Sequence, residues 1–171
     1  MPAAKLAALR ETLVNLAAGV SSTDVKAAID SFATGEIAGP VAALQPQIDA
    51  WFGHDRMQDI VAELRRDGSE LAQSTLKTLN EKSPRGMMVA LKLLRLARTS
   101  PSLEECLVRE YRAALEVFKS DDFREGVRAA VIDKDRNPRW SPPRIEDVTP
   151  EMLTPYFAKI GADELVFSQS K

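Results

Sequence analysis

The chain has 171 residues, 44% hydrophobic and 28% charged, which suits one domain or two small ones with a packed core and a solvated surface. A net charge of −2 gives no global field for nucleic acid, and a single cysteine and a single histidine exclude an internal disulfide and a His/Cys zinc site within one chain. Charged residues interrupt every apolar run well short of the ~18 residues a membrane span needs, and aromatics are only 6%, so helix-forming Leu and Ala set the character of the chain.

Residues 2–17 predict an amphipathic helix: Pro2 suits its first turn, Leu6, Leu9, Leu13 and Leu16 make one stripe, and Gly19 stops it. Thr23 to Phe32 predicts a short helix with Val25, Ala28, Ile29 and Phe32 on one side. Residues 33–47 hold Gly35, Gly39, Pro40 and Pro46, so at least part should be irregular. Ile48, Trp51 and Phe52 then add bulk to a core or a contact surface.

Arg56 to Arg66 predicts a helix with Met57, Ile60, Val61 and Leu64 inward and Gly68 at its end. Ser69 to Asn80 follows as its antiparallel partner. Ser83-Pro84 is a strong start signal, since the hydroxyl caps an orphan N–H and proline lacks only a donor that has no partner there. Met87, Met88, Leu91 and Leu94 should face inward as core filler, and the helix should stop near Arg98.

Ser102 and Glu105 fit a capping box, and Leu103, Cys106, Leu107, Tyr111, Ala114, Leu115 and Phe118 then form a broad apolar face. Asp121 or Asp122 caps the next helix, with Phe123, Val127, Ala130 and Val131 inward. Prolines 138, 142 and 143 imply an extended crossing. Thr149-Pro150-Glu151 restarts a helix through Phe157, Gly161 breaks it, and Glu164 to Phe167 is a candidate terminal strand. The expected fold is therefore all-α, a bundle of about 7–8 helices with a proline-rich crossing and a short C-terminal strand.

Two features invite chemistry. Arg85, Lys92 and Arg95 share one side of a helix that carries no acid, so they either meet phosphates or an acidic partner, or form a solvated outer face. Gly126 lies inside a helical pattern, where close approach of a backbone or ligand would explain it. His54 reads as a surface histidine, Cys106 as a small core residue rather than a reactive thiol, and Asp121-Asp122 as capping groups rather than paired catalytic acids.

The string "EGVRAAVIDKDRNPRW" at 125–140, with "EKSP" at 81–84, "ECLVREYR" at 105–112, "VTPEMLTPYF" at 148–157 and "GADELVF" at 161–167, resembles the C-terminal signature of 3-hydroxyisobutyryl-CoA hydrolases. These belong to the crotonase (enoyl-CoA hydratase/isomerase) superfamily. The likeness is strong over 81–167 and diffuse over 1–80, so the chain divides into an N-terminal helical segment, 1–80, and a crotonase-type helical cap, 81–171. Lys82 departs from the methionine that relatives often carry before Ser-Pro.

The resemblance implies a CoA thioester as substrate of the intact enzyme, with no covalently bound cofactor, and no metal-ligating residues are assigned. It implies an oxyanion hole of two backbone N–H groups and carboxylates on a strand-bearing core, under a helical cap that lines the acyl and CoA pocket. It makes Lys134 and Trp140 the candidates for approach to the CoA nucleotide. Lys134 is otherwise a surface lysine paired with Asp133 or Asp135, and Trp140 an anchor for the proline-rich crossing. No glycine-rich oxyanion stretch and no strand-rich core are legible, so no catalytic residue is assigned. The chain alone is expected to be inactive, serving valine catabolism only with a crotonase-type core from the same or a neighbouring chain. The other reading is a stand-alone helical interaction module, bound to a partner or to itself through exposed apolar faces. No nucleic acid or membrane is expected as a partner. No secretory signal is visible, and the lone cysteine suits a reducing compartment, cytoplasmic or the mitochondrial matrix in a eukaryote.

Overall fold

Short polar residues ahead of apolar runs set most of the helix starts in the computed structural model, which describes residues 3–33 and 39–167. All regular structure among the described residues is helical. Pro2 and Gly35, both part of the sequence reading, lie outside them. The chain divides into two compact units, residues 1–47 and 48–171.

The first unit holds a 3₁₀ turn at Ala3–Lys5, α1 (Leu6–Val14), α2 (Ser22–Phe32) and the start of α3 (Pro40–Phe52). Ser21 and Asp24 form a reciprocal capping box on α2. α1 packs against α2, yet neither helix buries a residue fully. α1 ends at Val14, earlier than Gly19, because Asn15 already leaves the helical path as its cap. Of the residues 33–47, at least part of which is expected to be irregular, Pro46 lies inside α3, which loses one internal hydrogen bond there and continues.

The second unit is built around α4 (Met57–Asp67), α5 (Glu70–Asn80), α6 (Pro84–Ala97), α7 (Leu103–Lys119), α8 (Asp121–Val127) and α9 (Pro150–Phe157). α4 ends where Gly68 takes φ +64, a left-handed cap open to glycine without penalty. Its stripe of Met57, Ile60, Val61 and Leu64 is buried as the spacing predicts, together with Trp51, Ala72, Leu91 and Ile145. The Trp51 indole donates to Asp67 at 3.1 Å, so its buried N–H is satisfied. A second cluster joins Val89, Ala113, Val148, Leu153 and Tyr156. Met88 touches both clusters, which makes α6 the shared wall of the unit.

Two expectations fail here. Ser102 caps α7 by accepting from Glu105 N–H, but Glu105 turns to Arg109 instead of reaching back. The apolar face of α7 is also largely exposed, so Cys106 is not the core residue expected. The buried residue of α7 is Ala113, while Leu103 is 70% exposed and Phe118 64%. Leu107 and Tyr111 are exposed in the same stripe, and Cys106 is only half-buried. The opposite face packs against α9 and α6.

After α8 the chain makes a single π turn, Arg128–Ile132, and then an extended crossing with a 3₁₀ turn at Ile145–Asp147. The expected strand at 164–167 is irregular, since no neighbouring strand among the described residues offers it a ladder. Arg112 pairs with Glu164, which ties this tail to α7 through side chains instead.

Candidate functional site

The junction of α6, α8 and the crossing is held by one carboxylate. Ser83 and Ser120 cap α6 and α8, so neither Asp121 nor Asp122 is a cap as the sequence suggested. That frees Asp122 to point inward, where it is 9% exposed. It accepts a short hydrogen bond from the Ser83 hydroxyl and a 3.0 Å bond from Ser141 N–H. The Ser141 carbonyl accepts in turn from Arg85 at 2.6 Å. One residue of the crossing is thus gripped through both its N–H and its carbonyl.

That grip fixes Trp140. Its indole donates to the Glu81 carbonyl at 3.2 Å, and its ring lies over Gly126. A Cβ at Gly126 would stand 3.3 Å from the ring, so an aromatic edge closely approaches the helix at this glycine. Beside this contact opens an apolar cavity of about 320 Å³, lined by Ser83, Val117, Asp122, Phe123, Gly126, Val127, Ala130, Val131, Trp140 and Tyr156 among others. Phe123, Ala130 and Val131 were expected to fill a core and line this open space instead.

The loop after the π turn is organised by Arg128. Its guanidinium forks onto Glu125 at 2.8 and 2.9 Å, meets Asp133 at 2.6 Å and Asp135 at 2.7 Å, and donates to the Asn137 carbonyl at 3.2 Å. Hydrogen bonds from Arg128, then from Arg139 N–H, pull the Glu125 carboxyl down from 4.5 to about 2. Asp135 is lowered for the same first reason, aided by Asn137 N–H. Lys134 is exposed at φ 57, with no ion pair or hydrogen bond among the described residues, because Arg128 has taken both neighbouring acids. The structure places Lys134 in this loop and Trp140 at the cavity wall.

Each residue of the basic strip on α6 has a partner within the protein. Arg85 holds Ser141, Lys92 stacks over the Phe157 ring at 4.3 Å, and Arg95 donates to the Phe52 and His54 carbonyls at 2.5 Å each. Its third neighbour is Asp55 at 3.0 Å. Arg85 and Arg95 are therefore half-buried braces, while Lys92 stays exposed beside its ring, so the strip is part internal and part solvated. Sequence reasoning missed Asp122 and Arg128. For Arg128 a signal existed in Glu125 three residues before and acids five and seven residues after, but their convergence needs the π turn. Among the described residues no group of His, Cys, Asp or Glu could hold a metal ion, and no helix is long and apolar enough to cross a membrane.

The second unit is all-helical among its described residues, with an apolar cavity beside Trp140 and an exposed apolar stripe on α7. Comparison with known proteins gives the lineage. Residues 1–157 match the family described as enoyl-CoA hydratase/isomerase. The mitochondrial 3-hydroxyisobutyryl-CoA hydrolase of Bos taurus is 39% identical over 121 residues, 71% of this chain and 31% of that protein. That of Rattus norvegicus is 34% identical over 168 residues, 95% of this chain and 43% of that protein. Among solved structures, a carnitinyl-CoA dehydratase from Mycobacterium thermoresistibile matches 99% of this chain and 46% of its own, with TM-score 0.74 and 30% identity. An enoyl-CoA hydratase from Rhodobacter sphaeroides matches 85% of this chain and 44% of its own, with TM-score 0.69 and 35% identity. The chain belongs to the enoyl-CoA hydratase/isomerase family. It spans between about a third and under half the length of these relatives, and corresponds to the C-terminal part of the hydrolases.

Proposed function

We propose that this chain completes a CoA-thioester hydrolase site of the 3-hydroxyisobutyryl-CoA type by seating on a crotonase-type catalytic core. The observation that carries the reading is the uncovered stripe of α7, Leu103, Leu107, Tyr111 and Phe118. A helix this amphipathic is normally covered on its apolar side, and a contiguous apolar patch marks an interaction surface. The further length of the relatives is room for the core that would cover it.

In this reading the core supplies the amide donors that polarise the thioester carbonyl and the carboxylates that handle proton and water. The helices shape the apolar wall. Trp140 stacks against the ligand's nucleotide end, and Lys134, left free by Arg128, meets its phosphates. The working compartment is then the mitochondrial matrix in a eukaryote or the cytoplasm in a bacterium.

Co-expression with a tagged crotonase-type core tests the seating. A stable complex is expected, and Leu103→Glu with Phe118→Glu should release it. Failure of the wild-type chain to co-purify would sink the reading. In the complex, Lys134→Ala should raise KM for the CoA ester about three- to tenfold with kcat unchanged, the size of one charge-assisted contact. An unchanged KM removes Lys134 from the site.

The same stripe also favours a second reading, a stand-alone interaction module. Size-exclusion at several concentrations separates the two: concentration-dependent association without any affinity for the core supports the module, and a clean monomer that ignores the core counts against both.

A further inference from the structure

The loop after the π turn alternates acid and base: Asp133, Lys134, Asp135, Arg136. The acids turn in, both onto Nη1 of Arg128. The bases turn out. Lys134 and Arg136 are exposed, without an ion pair or side-chain hydrogen bond among the described residues, and both have positive φ, 57 and 54. A non-glycine residue rarely enters this region, because its Cβ crowds the following carbonyl. Two such residues so close together need something to hold them.

Arg128 meets that need. It grips Glu125 by a fork, both loop acids and the Asn137 carbonyl at once. The backbone follows, with Asp133 N–H on Arg128 O at 2.8 Å and Arg136 N–H on Ala129 O at 3.1 Å. A compact ammonium cannot serve so many directions, so lysine is no substitute.

We infer that Arg128 is a positioning residue that presents Lys134 and Arg136 outward as a matched pair, and that Arg136 is a second cation for the phosphates of a CoA ester. This rests on the reading of the loop given under Proposed function. Arg128 itself never meets the ligand, since protein oxygens occupy its guanidinium. Its removal would have two consequences. The left-handed turns would relax, and Asp133 and Asp135 would become partners for Lys134 and Arg136, cancelling the charge the loop displays.

The test is an NMR titration of the isotopically labelled full chain with CoA, and in parallel with pantetheine, which lacks the nucleotide. In the wild type, backbone couplings at Lys134 and Arg136 should report left-handed φ, and CoA but not pantetheine should shift both amides. Arg136→Gln, at an exposed position, should weaken CoA about three- to tenfold. Arg128→Gln should weaken it at least as much and abolish the left-handed couplings, and Arg128→Lys should recover only part. Should Arg128→Gln fail to fold, the double change Asp133→Asn, Asp135→Asn keeps Arg128 on Glu125 and predicts the same loss of left-handed couplings. CoA that leaves both wild-type amides unmoved overturns the inference together with the reading beneath it. Wild-type binding with Arg136→Gln unaffected removes Arg136 alone. Couplings and affinity intact without Arg128, or couplings intact in the double variant, remove the positioning role and leave the proposed function standing.

Discussion

Asp122 joins three parts of the chain that no local pattern connects. Replacing it by Ala leaves the Ser83 hydroxyl and Ser141 N–H without their acceptor in a half-buried junction, which should cost about 2–3 kcal/mol in a urea titration. Asp122→Asn keeps an acceptor and should cost clearly less; equal losses would show that packing, not hydrogen bonding, holds the junction. Gly126 offers a test of opposite sign. Alanine gains about 1 kcal/mol of helix propensity, and its Cβ needs the Trp140 ring to yield by only a few tenths of an ångström beside an open cavity. Gly126→Ala should therefore melt at the same or slightly higher temperature while shifting indole fluorescence, and a marked drop in melting temperature would mean the ring cannot move. Glu125 gives a pH dependence. Its carboxyl is held below its unfolded value, so its contribution is fully present above pH 4.5 and is lost as pH falls toward 2. Melting temperatures followed from pH 6 to pH 3 should fall more steeply for the wild type than for Glu125→Gln; parallel curves would contradict the Arg128 fork.

At the scale of elements, caps and faces were legible to different degrees. Ser69, Ser83 and Ser102 announce α5, α6 and α7 because capping is settled within a few residues of the helix start. The inward stripe of α4 was legible too, since only one of its faces is apolar. α7 was not, for a reason that periodicity cannot supply. Spacing says that Leu103, Leu107, Tyr111 and Phe118 share a face, but not which face the neighbours take, and α9 and α6 take the side of Ala113 and Val117. The pair Ala113→Leu and Leu103→Gln separates the two. The first overpacks a buried contact and should cost about 1–3 kcal/mol, the second changes an exposed side chain and should stay within about 0.5 kcal/mol. A large loss at Leu103 in the isolated chain would show that the stripe is already covered. The junction at Asp122 and the loop around Arg128 were illegible for a related reason: each joins residues brought together only by the turn of the crossing.

On the scale of the whole molecule, the family, the exposed α7 stripe and an apolar cavity that opens beside Trp140 are the observations on which the proposed seating on a core rests. The most direct measurement is turnover of 3-hydroxyisobutyryl-CoA by the purified chain, by a crotonase-type core lacking its C-terminal helices, and by the two together. The account predicts no hydrolysis from the chain, little from the core and clear hydrolysis from the mixture. Turnover by the chain alone, surviving controls for contaminants, would contradict it.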